Sequence, residues 1–487
     1  MARYAVSRYP YAMSQTTTNP PAEGDLPAGE LPAAATRILN LAAQLDAFER
    51  LPAAEQERRQ ANSLRALLRH ARDFSPFWRD RLAAAAIDPD RPLREGEPVP
   101  ELIRDLPVLT RAELQEQGVA LRARAPWMAE EGISVARTSG STGTPVAVER
   151  YLPMHRPLYT ALGFLDNRWH GRDSRRPIAN VRDGPDAVLP VWGPLYDALG
   201  HRGTAHCRNM IEHAPEDILA WLAGLDVPYM VTSPVLASRL AELSLAGGPR
   251  PVGLEQLITF GETVTPEIRA RVRAAFGARI TDRYSCEEVG WIAFQCPVHE
   301  QRYHALSASV LVEILDDAGR PCPPGQPGRV LLTALHGLAM PLIRYEIGDY
   351  AEWADSAGTC ACGRTLPVIG ALHGRERSFI RLPDGTLRLA RLTGEYWRAI
   401  APVRDYRVVQ YSDGQIEAFV EAERALAPEE TESLRAMLAK VLGHPVPAII
   451  TQTVRIDWGH RWKRQDIARI DTPRGAAGAT AATAAPG

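Results

Sequence analysis

Between residues 214 and 284 the spacing of apolar positions changes repeatedly, and each change marks a new element. Residues 214–225 carry an apolar stripe through Ile218, Leu219, Trp221 and Leu222, the spacing of one helix face. Residues 227–232 form a short apolar run that begins a strand. Pro234–Leu245 returns to helical spacing, residues 254–260 read as a buried strand, and Pro266–Phe276 as a helix opened by proline in its first turn. Residues 279–284 close the series as a strand. This alternation predicts a parallel sheet covered by helices, with ligands bound beyond the carboxyl ends of the strands. Gly261, Glu262 and the segment 285–290 fall at such ends.

Beyond residue 300 the pattern turns to strands at 309–315, 329–335 and 342–353, joined by Gly/Pro turns such as 322–325. That style predicts a mostly antiparallel subdomain. A smaller α+β unit follows residue 374. It has a hairpin over 406–422 about Asp413-Gly414, a helix over Pro428–Leu442 ended by Gly443, and a strand over 448–456. The fold class is therefore α/β, with a helix-covered, largely parallel sheet, an antiparallel subdomain and a small C-terminal domain. Residues 1–35 read as a flexible polar lead-in, 36–374 as the large N-terminal domain, 375–472 as the C-terminal one and 473–487 as a disordered tail.

Composition narrows the function. The chain has 487 residues, 45% of them hydrophobic and 23% charged, as in ordinary globular proteins. A formal net charge of −2 offers no electrostatic reason to expect nucleic acid or an anionic membrane as partner. No apolar run is long enough to span a membrane. Residues 1–14 hold two arginines and no sustained apolar core, which argues against a secretory signal, and Met13 is an alternative start. Six cysteines in so long a chain do not make a disulfide scaffold, so the expected location is the cytoplasm.

The candidate chemistry begins at Thr138, Ser139, Gly140, Ser141, Thr142, Gly143, Thr144 and Pro145, between the apolar stretches 133–136 and 146–148. Glycines let backbone N–H groups turn inward, and hydroxyls add donors around a polyphosphate. The loop lacks the Gly-Lys-Ser/Thr ending of the usual P-loop, so that nucleotide-binding class is excluded.

Together with segments 282–290, 341–349 and 374–380, taken in order, this loop resembles the motifs of adenylate-forming enzymes, in the branch of phenylacetate–CoA ligases and capsule-biosynthesis ligases. Segment 67–78 is similar to that branch's opening helix and turn. The resemblance covers roughly residues 40–470. It implies ATP-dependent activation of a carboxylic acid through an acyl-adenylate, then transfer to a thiol, most simply coenzyme A, with an aryl or phenylacetate-like acid favoured. It also implies a mobile C-terminal domain hinged near residues 376–378, and a homodimer as the family-level expectation. Two alternatives remain open: transfer to an amine or a separate carrier protein, and a degenerate, non-catalytic nucleotide-binding protein.

By the same resemblance, residues 139–144 take the β- and γ-phosphates, Glu288 holds Mg2+, Tyr284 lies against adenine, and Asp349 accepts the ribose hydroxyls. Arg375 contacts ribose or phosphate, and Gly261-Glu262 holds the adenine edge. Two positions depart from the pattern: Ser285 replaces a glycine, and Glu287 replaces a hydroxyl residue expected to touch phosphate. A carboxylate at 287 either repels phosphate or pairs with Arg283 and points away. The catalytic lysine of the branch falls at Lys463 or, on a different alignment, at His460, and Lys463 is preferred because its long stem can follow carboxylate and α-phosphate. Trp192, Tyr196 and His201 are the candidate substrate pocket, suited to a flat aryl acid. Cys296, His304, Cys360 and Cys362 supply the four soft ligands of a structural Zn2+ site, with His299 as the local rival to His304.

Overall fold

A computed structural model describes residues 31–137, 146–355, 358–375, 379–383, 387–389, 392, 394–442, 448–454, 456, 467–470 and 472–474. Strands β1 (Ile133–Arg137) and β2 (Ala147–Tyr151) form an antiparallel hairpin with Ile133 opposite Tyr151. The hydroxyl-rich loop 138–145 connects them and lies outside the described residues. The main sheet uses β3 (Ile178–Arg182), β4 (Ala187–Leu189), β5 (Ala205–Asn209), β6 (Tyr229–Thr232), β7 (Gln256–Phe260), β8 (Arg279–Cys286) and β9 (Gly290–Gln295). It continues through β10 (Tyr303–Ala305), β11 (Val310–Leu315), β12 (Gly328–Ala334), β13 (Tyr345–Trp353) and β14 (Val368–Arg375). These twelve strands run in the order β11-β12-β13-β14-β10-β9-β8-β7-β6-β3-β5-β4.

The sheet is parallel from β5 through β3, β6 and β7 to β8, and antiparallel from β8–β9 onward. The antiparallel strands expected after residue 300 therefore extend the same sheet instead of forming a second one. The helices between the parallel strands stand where periodicity predicts them. Pro234–Leu245 and Pro266–Phe276 begin at prolines behind Ser233 and Thr265, whose hydroxyls accept from the N–H groups of Leu236 at 3.2 Å and Ile268 at 3.3 Å. The helix Pro215–Ala223 buries Ile218, Leu219 and Leu222 against Val227, Met230 and Leu257.

Other boundaries moved for physical reasons. Residues 342–344 lie outside β13 because Arg344 adopts φ +51°. That turn buries its guanidinium, which donates to the carbonyls of Arg104 at 2.6 Å and Leu106 at 2.7 Å and pairs with Glu313 at 3.1 Å. Leu109 then bridges to Tyr345, so an N-terminal segment is fastened to the sheet. The first helix, Ala33–Phe48, begins inside the stretch read as a lead-in. Segment 67–78 does read as helix and turn: Ala53–Phe74 ends at Ser75, and Pro76–Ala84 starts anew.

The smaller C-terminal unit contains β15 (Phe379–Arg381) paired with β16 (Leu387–Leu389), and a sheet of β17 (Val403–Gln410), β18 (Ile416–Ala422), β19 (Ala448–Gln452) and β20 (Ile467–Arg469). The expected hairpin turns at Gly414, with φ +80°, and the expected helix spans Pro428–Leu442. Leu434, Leu438 and Leu442 pack with Trp397, Val408, Ala418 and Val420 as a separate core. The hinge segment 376–378 lies outside the described residues. Among the described residues no helix is long and apolar enough to cross a membrane.

A buried ion network anchors β8. Asp166, on the helix Leu152–Trp169, is fully buried and receives Arg172 and Arg283, each at 2.5 Å. Burial alone would raise its carboxyl, but the two guanidinium charges outweigh that and hold it well below the usual range. Beside it, burial pushes the His170 imidazole down to about 3, against the opposing pull of Asp166. The unfolded chain therefore takes up a proton below about 6.5 that the folded chain refuses until about 3. This contribution to stability is complete above pH 6.5 and is lost as pH falls, at about 1.4 kcal/mol per pH unit for one proton. Urea denaturation from pH 7.5 to 4 should show a steeper acid loss for the native protein than for His170→Gln; equal slopes would refute the assignment.

Candidate nucleotide site at the reversal of the sheet

The proposed nucleotide residues gather where the parallel strands end. Phe260 and Arg283 are register partners on β7 and β8, so Gly261 and Tyr284 leave the sheet side by side. Gly261 has φ +82°, a conformation that favours glycine and turns the chain over the sheet edge. Glu262, which follows, is half-buried. The Tyr284 hydroxyl donates to Asp349 Oδ2 at 3.0 Å, and Asp349 stands opposite Arg375 in the β13–β14 register. Tyr284 of β8 thus reaches Asp349 of β13 although β9, β10 and β14 separate those strands in the sheet order, and Arg375 lies at the register position opposite Asp349.

Ser285 sits at an irregularity in the β8–β9 pairing, opposite Trp291, so the departure from glycine falls at a bulge. The turn then carries Cys286, Glu287 and Glu288 to Gly290, whose φ is +98°. Burial, reinforced by the Glu288 charge, pushes the Cys286 thiol up and keeps it protonated. Glu288 is nearly buried, and its Oε1 accepts from Arg111 at 3.1 Å and from the Tyr345 hydroxyl at 3.2 Å. No bond to Oε2 occurs among the described residues. The bonds from Arg111 and Tyr345 are both to one carboxylate oxygen, an arrangement that suits a single-point metal ligand through the other.

Glu287 does not pair with Arg283, which the buried Asp166 holds. It pairs instead with Arg150 of β2, at 3.6 Å, and Arg150 also donates to the Glu287 carbonyl. Arg150, Val148, His155, Tyr159, Glu288 and Trp291 are among the residues lining a cleft between the helix Leu152–Trp169 and β9. Tyr159 and Trp291 lie with ring centroids 3.9 Å apart. Gly163 allows this, because a Cβ there would come within 2.9 Å of the indole. Burial, then the charge of Arg150, pushes His155 down to about 4, so it is a neutral ring at physiological pH.

Trp192, Tyr196 and His201 do not line that cleft. They form their own cluster: Trp192 lies edge-on to Tyr196 at 5.8 Å and to Tyr229 at 5.5 Å, while Tyr196 stacks on His201 at 6.3 Å. Its polar atoms are engaged, Tyr196 by Asn167 at 2.6 Å, His201 by Ser174 at 2.6 Å and Trp192 by the Arg176 carbonyl at 2.9 Å. Residues 138–144, His460 and Lys463 lie outside the described residues.

A second cluster stands apart. One ligand atom from each of Cys296, His304, Cys360 and Cys362 lies within 4.8 Å of the others. Cys296 Sγ is 3.8 Å from Cys360 Sγ, and Cys362 Sγ is 3.2 Å from His304 Nε2. Such spacings fit two thiolates or a thiolate and an imidazole on one tetrahedral ion. The turn 360–363 closes through Gly363 N–H to the Cys360 carbonyl at 2.7 Å. His299 is not part of the group. Outside it, Arg364 stacks 3.7 Å from the Trp169 ring and pairs with buried Glu49 at 2.9 Å, tying the cluster to the first helix.

Sequence reasoning missed Arg111, Arg150, Tyr159 and Trp291. Tyr345 lay inside a recognised motif, and a search for a donor beside Glu288 would have reached it. Nothing local marks Arg111, which arrives from a position 177 residues away.

Comparison with known proteins agrees with this arrangement. The family model of AMP-binding enzymes matches residues 79–338. The phenylacetate-coenzyme A ligase of Thermus thermophilus is 27% identical over 343 residues, 67% of this chain and 72% of that protein. Among solved structures, 2-hydroxyisobutyryl-CoA ligase in the postadenylation state with R3-HIB-AMP is similar at a TM-score of 0.66 and 21% identity, covering 90% of this chain and 94% of that one. An open conformation of the same ligase, in complex with 2-HIB-AMP and CoA, gives 0.59 and 21%, covering 87% and 93%. At these identities the structural likeness is one of fold.

Proposed function

This chain belongs to the family of AMP-binding enzymes, and on that premise we propose that it is an ATP-dependent, AMP-forming acid–CoA ligase. The observation that carries the proposal is the meeting of Tyr284, Asp349 and Glu288 at the carboxyl edge of the parallel strands. In the first half-reaction a carboxylate oxygen of the acid attacks the α-phosphorus of ATP. The acyl–O–P bond forms as the α–β anhydride bond breaks, and pyrophosphate leaves. In the second, the thiolate of coenzyme A attacks the acyl carbon, the C–S bond forms, and AMP departs with the electron pair of the C–O bond.

The roles proposed for the residues follow the motif assignments, and for Tyr284, Asp349 and Glu288 their contacts support them. Asp349 binds the ribose hydroxyls, with Tyr284 fixing its carboxylate and offering a ring to adenine. Gly261-Glu262 and Ser285 border the base, and Arg375 contacts ribose or phosphate. Residues 138–144 take the phosphate chain. Glu288 would hold Mg2+ through the oxygen that Arg111 and Tyr345 leave free; when bound, the ion neutralises phosphate charge. Lys463 neutralises the carboxylate and α-phosphate as they approach. The acid belongs to the aryl class, consistent with the Thermus thermophilus relative and with the Tyr159–Trp291 wall of the cleft.

Cys296, His304, Cys360 and Cys362 hold a structural Zn2+. The chemistry of the donor set favours it, three thiols and a buried imidazole converging with no carboxylate among them. A site closed by four protein ligands stabilises the fold and activates no water.

ATP–pyrophosphate exchange with a panel of aryl and aliphatic acids tests the function. Exchange should appear with an aryl acid and fall on the order of 100-fold in Glu288→Gln and Lys463→Ala, the size typical of losing one group that stabilises transition-state charge. ATP binding with no exchange for any acid would favour the non-catalytic alternative, and product analysis with coenzyme A against amines separates the acceptors. Purified protein should also carry stoichiometric zinc by elemental analysis, absent from Cys360→Ser and His304→Ala, both with lower unfolding temperatures; zinc retained in both variants would exclude the site.

A further inference from the structure

Glu287 poses an electrostatic problem for the proposed reaction. It stands where the family pattern has a hydroxyl residue against phosphate, and it is followed by a second carboxylate, Glu288. Two adjacent carboxylates facing a polyphosphate would repel it unless cations intervene. The fold brings one arginine to each: Arg111 to Glu288 and Arg150 to Glu287.

The two pairs are not alike. Arg111 is closed onto a nearly buried carboxylate at 3.1 Å, alongside Tyr345. Arg150 meets an exposed carboxylate at the longer distance of 3.6 Å, and it also donates to the Glu287 carbonyl. Its Nε–H is buried and has no partner among the described residues. A solvated pair of this kind contributes little to stability, so the fold gains almost nothing from it. The position of Arg150 is nonetheless specific: it lies on the strand that leaves the 138–145 loop and lines the same cleft as Glu288. An arginine with an unused donor, held at a backbone carbonyl in the cleft that Glu288 also lines, is suited to phosphate oxygens.

Building on the ligase reading above, we propose that Arg150 binds the phosphate chain of ATP, and that Glu287 is a positioning residue that holds Arg150 at the cleft. The carboxylate that departs from the family pattern thereby acts through an arginine in place of the missing hydroxyl. The pair is loose enough for the guanidinium to swing from Glu287 to a phosphate oxygen while keeping its bond to the Glu287 carbonyl. Neutral His155, beside Arg150, adds no competing charge.

Calorimetric binding of ATP and of adenosine, together with exchange kinetics, tests this on Arg150→Ala, Arg150→Lys, Glu287→Thr and the Arg150→Ala/Glu287→Thr double variant. Arg150→Ala should weaken ATP binding about tenfold or more, as expected for a lost charge-assisted contact, and leave adenosine binding unchanged. Arg150→Lys should recover part of the loss. The double variant should bind ATP more tightly than Arg150→Ala alone, because it removes the repelling carboxylate and restores a hydroxyl. Native ATP affinity in Arg150→Ala, or equal losses for ATP and adenosine, overturns the proposal, as does a double variant no better than the single one. If the native protein exchanges no pyrophosphate, the ligase reading fails; the binding arm still decides the role of Arg150.

Discussion

The hairpin between β8 and β9 is the constraint on which the site depends. Up to β8 every strand from β3 through β6 and β7 runs the same way, so their carboxyl ends share one edge. At residues 286–290 the chain reverses without a crossover helix, and every later pairing within the main sheet is antiparallel. That reversal leaves Glu288 at the shared edge and lets β13 and β14 return to it, carrying Asp349 and Arg375. Gly290 at φ +98° permits the turn, and the buried Asp166–Arg283 pair fixes the strand that leads into it. A break in either would displace Tyr284 and Glu288 together.

Charge is arranged in layers around this edge. Asp166, Arg172 and Arg283 neutralise one another in the interior, where an unpaired ion would be costly. Arg344 and Glu313 do the same under β13, and Glu49 and Arg364 beside the cysteine cluster. Toward solvent the Arg150–Glu287 pair is longer, at 3.6 Å on an exposed carboxylate. The interior pairs hold geometry, whereas the Arg150–Glu287 pair at the surface is the one the proposal has exchanging partners with a ligand.

Much of this was legible in the chain. The helices Pro234–Leu245 and Pro266–Phe276, behind the capping hydroxyls of Ser233 and Thr265, were delimited to the residue, because capping is a local property. The gathering of Cys296, Cys360 and Cys362 was expected from their spacing and from the resemblance, and His304 joins them where His299 does not, because β10 pairs with β9 and brings it inward. What escaped depends on contacts between distant segments. The partner expected for Glu287 was its neighbour in sequence, Arg283; burial of Asp166 claimed that arginine, and β2 supplied another. The aromatic segment 192–201 was read as a ligand wall; in the structure its polar atoms bond to Asn167, Ser174 and the Arg176 carbonyl. The cleft beside Glu288 is walled by Tyr159 and Trp291, whose meeting depends on Gly163 giving room.

The central claim is that an acid reacts at the α-phosphorus of ATP. Incubating the protein with ATP, coenzyme A and an aryl acid labelled with oxygen-18 in its carboxylate, followed by mass spectrometry of the nucleotide, tests it directly. The account predicts AMP carrying one labelled oxygen, transferred when the acyl–O–P linkage is cleaved at the acyl carbon. Unlabelled AMP, or ADP with the label in inorganic phosphate, would contradict it, since the acid would then never have been joined to the α-phosphate.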